Sequence, residues 1–181
     1  MKNILGCVFI FLVFVLLNST ASGQEGMGGR SGRGNSRAMM EKNRTLVNNM
    51  YAWMNSKTLD SLQTIMSKDL VDHNPDQGQK PGLAGTIEML KGYYVAFPDM
   101  KLTADDIVIE GNKIVVRATI TGTHQGPMMG MPATGKKFSV TMLEEFIVKD
   151  GLITDRYGVF DAAGMLTQLG LMPMPADSTK K

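Results

Sequence analysis

A chain of 181 residues is long enough to bury the core of one domain. Its formal net charge of +2 selects no polyanionic partner, so nucleic acid is not an expected ligand. Its single cysteine, Cys7, lies inside an N-terminal apolar run; once that run is removed, disulfides, thiolate nucleophiles and thiolate metal sites are excluded.

Lys2 gives a short basic start, and Ile4 to Leu17 is an unbroken apolar stretch. Small residues at Ala21 and Gly23 then favour a cut before Gln24, the layout of a secretory signal peptide over residues 1–23. The stretch is short for a bilayer span, which needs about 20 residues, so a retained anchor is the lesser alternative. The expected location is periplasmic or extracellular, with no stable membrane insertion after cleavage. Residues 24–37, "QEGMGGRSGRGNSR", carry glycine and arginine without apolar periodicity and read as a flexible linker.

The domain is expected over residues 38–173, with a disordered tail at 174–181. Leu46, Met50, Trp53 and Met54 recur at helical spacing. Leu59, Leu62, Ile65 and Met66 predict a second helix with Thr58 as N-cap, and "DLVDH" a short strand. A third helix runs from about Leu83 to Ala96 and stops at Pro98. The period then changes to two. "KLTADDIVIE" and "KIVVRATITGTHQ" flank the turn signal Gly111-Asn112; "KFSVTMLEEFIVK" and "LITDRYGVF" flank Asp150-Gly151. A short helix with Met165, Leu166 and Leu169 follows. Helices first and antiparallel strands second predict an α+β fold: three N-terminal helices on one face of a curved, mainly antiparallel sheet, and a short C-terminal helix.

Counting alternate residues along the strands places polar groups on apolar faces. Ile114, Val116, Ala118 and Ile120 extend to Gly122 and His124. Phe138, Val140, Met142, Phe146 and Val148 include Glu144. Ile153, Tyr157 and Val159 share a face with Asp155 and Asp161. A bulge in any strand shifts this count. A buried carboxylate is costly unless paired, and such groups gather at cavities where they transfer protons. The expectation is therefore a sheet curled around a pocket with Asp161, His124 and Glu144 in its wall. Each has a plain reading beside it. Asp161 suits the N-cap of the following helix, His124 a satisfied core position, Glu144 a salt bridge to Arg117 or Arg156, and His73 a turn. Trp53 and the helix methionines suit the core. Asp72, His73, His124 and Asp161 show no paired metal-ligand spacing, so no metal is expected. No G-x-S-x-G, P-loop or dinucleotide glycine motif supports a serine nucleophile or a nucleotide site.

The strings "AFPDM", "GTHQGPMMGMPATGKK", "VKDGLITDRYGVFD" and "QLG", in that order, resemble the SnoaL-like polyketide cyclase (ester cyclase) family, of the nuclear-transport-factor-2-like superfamily. The resemblance runs from about Leu46 to Pro173. It implies a cone-shaped sheet around a deep apolar pocket and an intramolecular aldol ring closure with no metal or cofactor. It implies Asp161 as general acid/base, with His124 in the same pocket and His73 at a shared position. Many members carry tryptophan four residues before the aspartate, where this chain has Tyr157. The methionine-rich loop 127–132, with Met128 and Met131, suits an adaptable apolar lid.

The expected function is thus binding of a small apolar molecule, with acid/base chemistry (aldol cyclisation, isomerisation or dehydration) through Asp161 and His124. His73, Tyr157, Glu144, Trp53, Met128 and Met131 are the expected binding residues. A non-catalytic carrier and a dimeric interaction module of the same fold are the alternatives, and a homodimer is expected in either case.

Overall fold

The computed structural model describes residues 28–172 apart from Met129. The expected signal segment, the first part of the linker and the tail fall outside the described residues. Helix α1 covers Gly28–Ser56, and a 3-10 helix covers Leu59–Thr64. Strand β1 is Met66–Asp72 and α2 is Gly82–Ala96. Strands β2 (Lys101–Glu110), β3 (Lys113–Thr123), β4 (Lys137–Lys149) and β5 (Leu152–Phe160) follow, and α3 (Ala162–Leu169) comes last.

Helix α1 begins ahead of the expected start at Ala38 and takes in residues 28–37, which the composition assigned to a linker. Positions 34–42 are exposed, so the domain contacts begin only where Asn43, Leu46, Val47, Met50 and Tyr51 become buried. The second expected helix is a single 3-10 segment. Leu59 and Leu62 are buried as its stripe required, but Thr58 makes no side-chain cap and Met66 has already joined a strand. The physical reason is pairing: Ile153 N–H donates to Ile65 O at 2.8 Å, which commits the chain here to a sheet edge instead of another helical turn.

The five strands form one open sheet in the order β1-β5-β4-β3-β2. Only the β1–β5 pair is parallel. The β2–β3 and β4–β5 hairpins turn where the dipeptides signalled. Asp150 and Gly151 both take positive φ (51° and 80°), the backbone of a tight two-residue turn. Strand β4 buries alternate residues from Phe138 to Val148, and β3 buries Ile114, Val116, Ala118 and Gly122, with Ile120 partly buried and His124 buried just past its end. Helices α1 and α2 cover this inner face. Asn55 brackets the backbone of Leu102, accepting from its N–H and donating to its carbonyl, both at 2.8 Å. That ties α1 to the edge strand and satisfies backbone groups that an edge leaves open.

Strand β5 departs from simple alternation. Its pairing with β4 shifts between Val148↔Ile153 and Ile147↔Asp155, so Thr154 is an extra residue, a bulge. Beyond it the faces exchange. Arg156, Gly158 and Phe160 sit opposite Phe146, Glu144 and Met142 on the inner face, while Tyr157 and Val159 turn outward, 42% and 60% exposed. The expectation that Tyr157, Val159 and Asp161 share the inner face of Ile153 is therefore corrected. The outer face also exposes Val108, Val115 and Leu143. Among the described residues no helix is long and apolar enough to cross a membrane.

Candidate functional site

A cavity of about 130 Å³ lies between the inner face of the sheet and helices α1 and α2. Its wall is mostly apolar and rich in thioethers: Met50, Met54, Met89, Met100, Met142 and Met165 all line it. These unbranched, polarisable side chains adapt to an irregular guest. The phenyl rings of Phe97, Phe138, Phe146 and Phe160 supply rigid surface.

The polar part of the wall comes from β4, β5 and the loop between β1 and α2. Glu144 sits among the buried residues of β4. Its Oε1 accepts from Arg156 Nε at 2.8 Å and its Oε2 from the Tyr51 hydroxyl at 2.8 Å. Arg156 also donates through Nη1 to Asp72 Oδ2 at 2.9 Å, and Gln79 donates to the same oxygen at 3.2 Å. The Glu144, Arg156 and Asp72 side chains are 6%, 17% and 7% exposed, so these ions are held by one another and not by water. Burial alone lowers the pKa of the Arg156 guanidinium; the charges of Glu144 and Asp72 outweigh it, and the net shift is upward. Burial, reinforced by the Glu144 charge, pushes the Tyr51 phenol far above its ordinary range, so it stays a neutral donor.

A second polar pair stands on the loop side. The Tyr93 hydroxyl donates to Asp76 Oδ2 at 2.7 Å, and burial followed by that bond raises the Tyr93 pKa. Asp76 Oδ1 has no side-chain or backbone partner among the described residues, so this carboxylate keeps an acceptor oxygen available. Asn74 accepts from Gly158 N–H at 3.2 Å. Asn74, Asp76, Thr86, Tyr93, Glu144 and Arg156 are thus the polar side chains in a mostly apolar wall.

The sequence-derived candidates are scattered by comparison. Asp161 is exposed and caps α3, its Oδ1 accepting from Gly164 N–H at 2.7 Å. It does not line the cavity, because the bulge at Thr154 reversed the phase that was to carry it inward. His124 is fully buried, yet it packs beside Phe97, with ring centroids 5.5 Å apart, outside the cavity lining. Its Nδ1 accepts from Thr134 N–H at 3.3 Å, and its Nε2 is buried without a partner among the described residues. His73 stacks on Tyr157 at 3.9 Å between centroids, and its Nε2 lies 3.1 Å from Asp155 Oδ1. This pair stands apart from the cavity lining, on the outer face to which Tyr157 turns. Trp53 packs against the core without lining the cavity, whereas its neighbour Met54 does line it. Met128 and Met131 bond each other's backbones at 3.0 and 2.8 Å and stand away from the cavity, so the lid expectation for that loop is corrected. Gln125 and Gly126 N–H groups both donate to Ala96 O, which pins the loop to the end of α2.

Of the expected residues, only Glu144 faces the cavity. Arg156, Asn74, Asp76, Tyr93 and Tyr51 were not singled out for the site. One signal for them was present: Gly158 in the middle of a strand marks a close approach or an irregularity, and it sits two residues from Arg156.

A family model described as SnoaL-like polyketide cyclase matches residues 28–169. The chain belongs to the SnoaL-like polyketide cyclase family. It is 32% identical over 125 residues to the aklanonic acid methyl ester cyclase DauD of Streptomyces sp. (strain C5), a match covering 66% of this chain and 75% of DauD. The aklanonic acid methyl ester cyclase DnrD of Streptomyces peucetius is 31% identical over 125 residues, covering 66% of this chain and 83% of DnrD. TsrD from Streptomyces laurentii superposes with a TM-score of 0.68 at 30% identity, covering 73% of this chain and 97% of TsrD. The open mixed sheet with helices on its inner face is the cone fold of this SnoaL-like family.

Proposed function

We propose that this SnoaL-like chain binds a small, largely apolar carbonyl compound in the cavity and carries out cyclase-type acid/base chemistry there without a cofactor. The observation that carries the reading is the placement of a few polar side chains in a methionine- and phenylalanine-lined cavity. Family membership and the ring-closing activity named for DauD and DnrD support the reaction class.

The proton-transfer role falls to Asp76 and not to Asp161. Both Glu144 oxygens are committed, to Arg156 and Tyr51. Asp76 has an acceptor oxygen to spare, and the Tyr93 hydroxyl orients its carboxylate. In an aldol closure, Asp76 takes a proton from the carbon beside a carbonyl. The resulting enolate carbon bonds to a second carbonyl carbon of the same molecule, and the new alkoxide oxygen recovers the proton from the Asp76 carboxyl group. Solvent-deuterium exchange into the α-carbon of a pocket-sized aryl ketone, followed by NMR, tests the first step. The chain should accelerate exchange over buffer. Asp76→Asn should lose a hundred- to ten-thousand-fold of that acceleration, the usual worth of a positioned acid or base. Exchange no faster than in buffer would end the catalytic reading.

Export and pairing belong to the same proposal. The basic start and apolar run of the first 23 residues read as a cleaved signal. N-terminal sequencing of the protein from its own host should begin at Gln24; a start at Met1 argues against cleavage. The exposed apolar side chains of Val108, Val115, Leu143 and Val159 give the outer sheet face a surface that a second copy would cover.

A further inference from the structure

Arg156 has one nitrogen left over. Nε is bonded to Glu144 and Nη1 to Asp72, and Nη2 makes no bond to the protein among the described residues. Nη2 lies over Gly158: a Cβ built on that glycine would sit 2.4 Å from it, so only the missing side chain leaves the guanidinium room. Both residues line the cavity. Glu144 and Asp72 thus hold the guanidinium through Nε and Nη1 and leave the Nη2 donors without a protein partner, among the described residues, on a side chain that lines the cavity. The cluster as a whole is not cationic. One guanidinium faces two carboxylates, so it carries a negative charge in excess, and Asp76 adds another to the wall.

Building on the binding reading above, we propose that Arg156 Nη2 is the directional donor of the cavity, and that it selects an uncharged ligand bearing a carbonyl oxygen while rejecting the corresponding carboxylate. A carbonyl oxygen accepts from Nη2 and adds no charge. A carboxylate would be a third anion on a guanidinium already shared between Glu144 and Asp72. The space limits the guest further. An engineered apolar cavity of about 150 Å³ takes up benzene. The cavity here is of that order, so the ligand class is one substituted ring, or a chain folded to that size. Larger guests require the methionines to change rotamer.

The test is a matched pair of ligands on the intact wild-type protein. Acetophenone and benzoate have the same ring and differ in whether the substituent is a neutral carbonyl or a carboxylate. Binding is followed by isothermal titration and by methyl shifts of the cavity methionines. Acetophenone should bind, and benzoate should bind at least tenfold more weakly at neutral pH. Benzoate binding as well as acetophenone overturns the selection while leaving the cavity reading intact. Neither ligand shifting a cavity methionine overturns both. Arg156→Lys keeps the charge but removes the fork, and should weaken acetophenone roughly tenfold, the size of one hydrogen bond from a charged donor. Gly158→Ala displaces the guanidinium and should weaken acetophenone similarly while thermal unfolding shows a folded chain. Wild-type affinity for acetophenone in a folded Arg156→Lys or Gly158→Ala protein would overturn the assignment to Nη2.

Discussion

Arg156 Nε and Glu144 Oε1 lie 2.8 Å apart, and every other bond of the buried polar cluster is arranged around that contact. Tyr51 holds the second Glu144 oxygen and Asp72 the second guanidinium nitrogen. Removing Arg156 leaves the buried Glu144 and Asp72 carboxylates without their cation. Arg156→Met should destabilise the fold by about 3–5 kcal/mol. Neutralising the carboxylates as well, as in Arg156→Met with Glu144→Gln and Asp72→Asn, should recover most of that loss. Urea denaturation of the two proteins checks the contrast. Equal stability of the single and triple variants would show that charge pairing is not what the wall depends on.

Asp161 behaves as a cap. Its carboxylate accepts from Gly164 N–H, satisfying a helix-terminal donor that otherwise has no partner. Asp161→Ala should cost about 1 kcal/mol of stability, and Asp161→Asn, which also caps well, nearly nothing. Both variants should accelerate ketone deuterium exchange as the wild type does. Loss of that acceleration in a folded Asp161→Asn protein would return the aspartate to the catalytic role implied by the family resemblance.

The outer sheet face supplies a prediction about assembly. Leu143 lies opposite Val159 across β4 and β5, and Val108 opposite Val115 across β2 and β3. A charge at the centre of this surface, Leu143→Asp, should convert a dimer to a monomer in sedimentation velocity without altering ligand binding. A wild-type protein that sediments as a monomer at high concentration would remove the dimer from the reading.

Acid should loosen the junction between α2 and β3. Asp99 Oδ1 accepts from Thr123 N–H at 2.7 Å and Oδ2 from the Thr123 hydroxyl at 2.6 Å. The hydroxyl bond, then the backbone bond, holds the Asp99 carboxyl below its ordinary range. A depressed folded-state pKa adds stability that is complete above the unfolded value of about 4 and is lost as pH falls through the folded value. Asp99→Asn should therefore lower the melting temperature at neutral pH and narrow the gap to wild type below pH ~4. A gap that stays constant across that window would assign the effect to something other than this titration.

Period-two counting worked for β3 and β4 because the two run unbroken against each other, so each apolar residue from Ile114 to Ala118 and from Phe138 to Val148 reports its face directly. It failed for the second half of β5. An extra residue in a ladder leaves no mark in hydrophobicity: Tyr157 and Val159 are as apolar as core residues, and nothing in "LITDRYGVF" says that Thr154 is unpaired. The helix–strand boundary at Ile65-Met66 was hidden for a related reason. Both residues fit a helical stripe, and the parallel pairing with β5, set by residues almost ninety positions away, decided the outcome. Arg156 was obscured by the same bulge, since straight alternation sends it to solvent.

The unpaired Thr154 also makes the shape of this site unusually sensitive to length. Excising that one residue would restore a straight ladder and rotate the downstream half of β5 by a half-turn. Tyr157 and Val159 would then enter the interior, and Arg156 and Phe160 would leave it. A one-codon insertion or deletion at this point is thus a way for a lineage to exchange the chemistry of its chamber for that of its outer sheet while every other element stays in place.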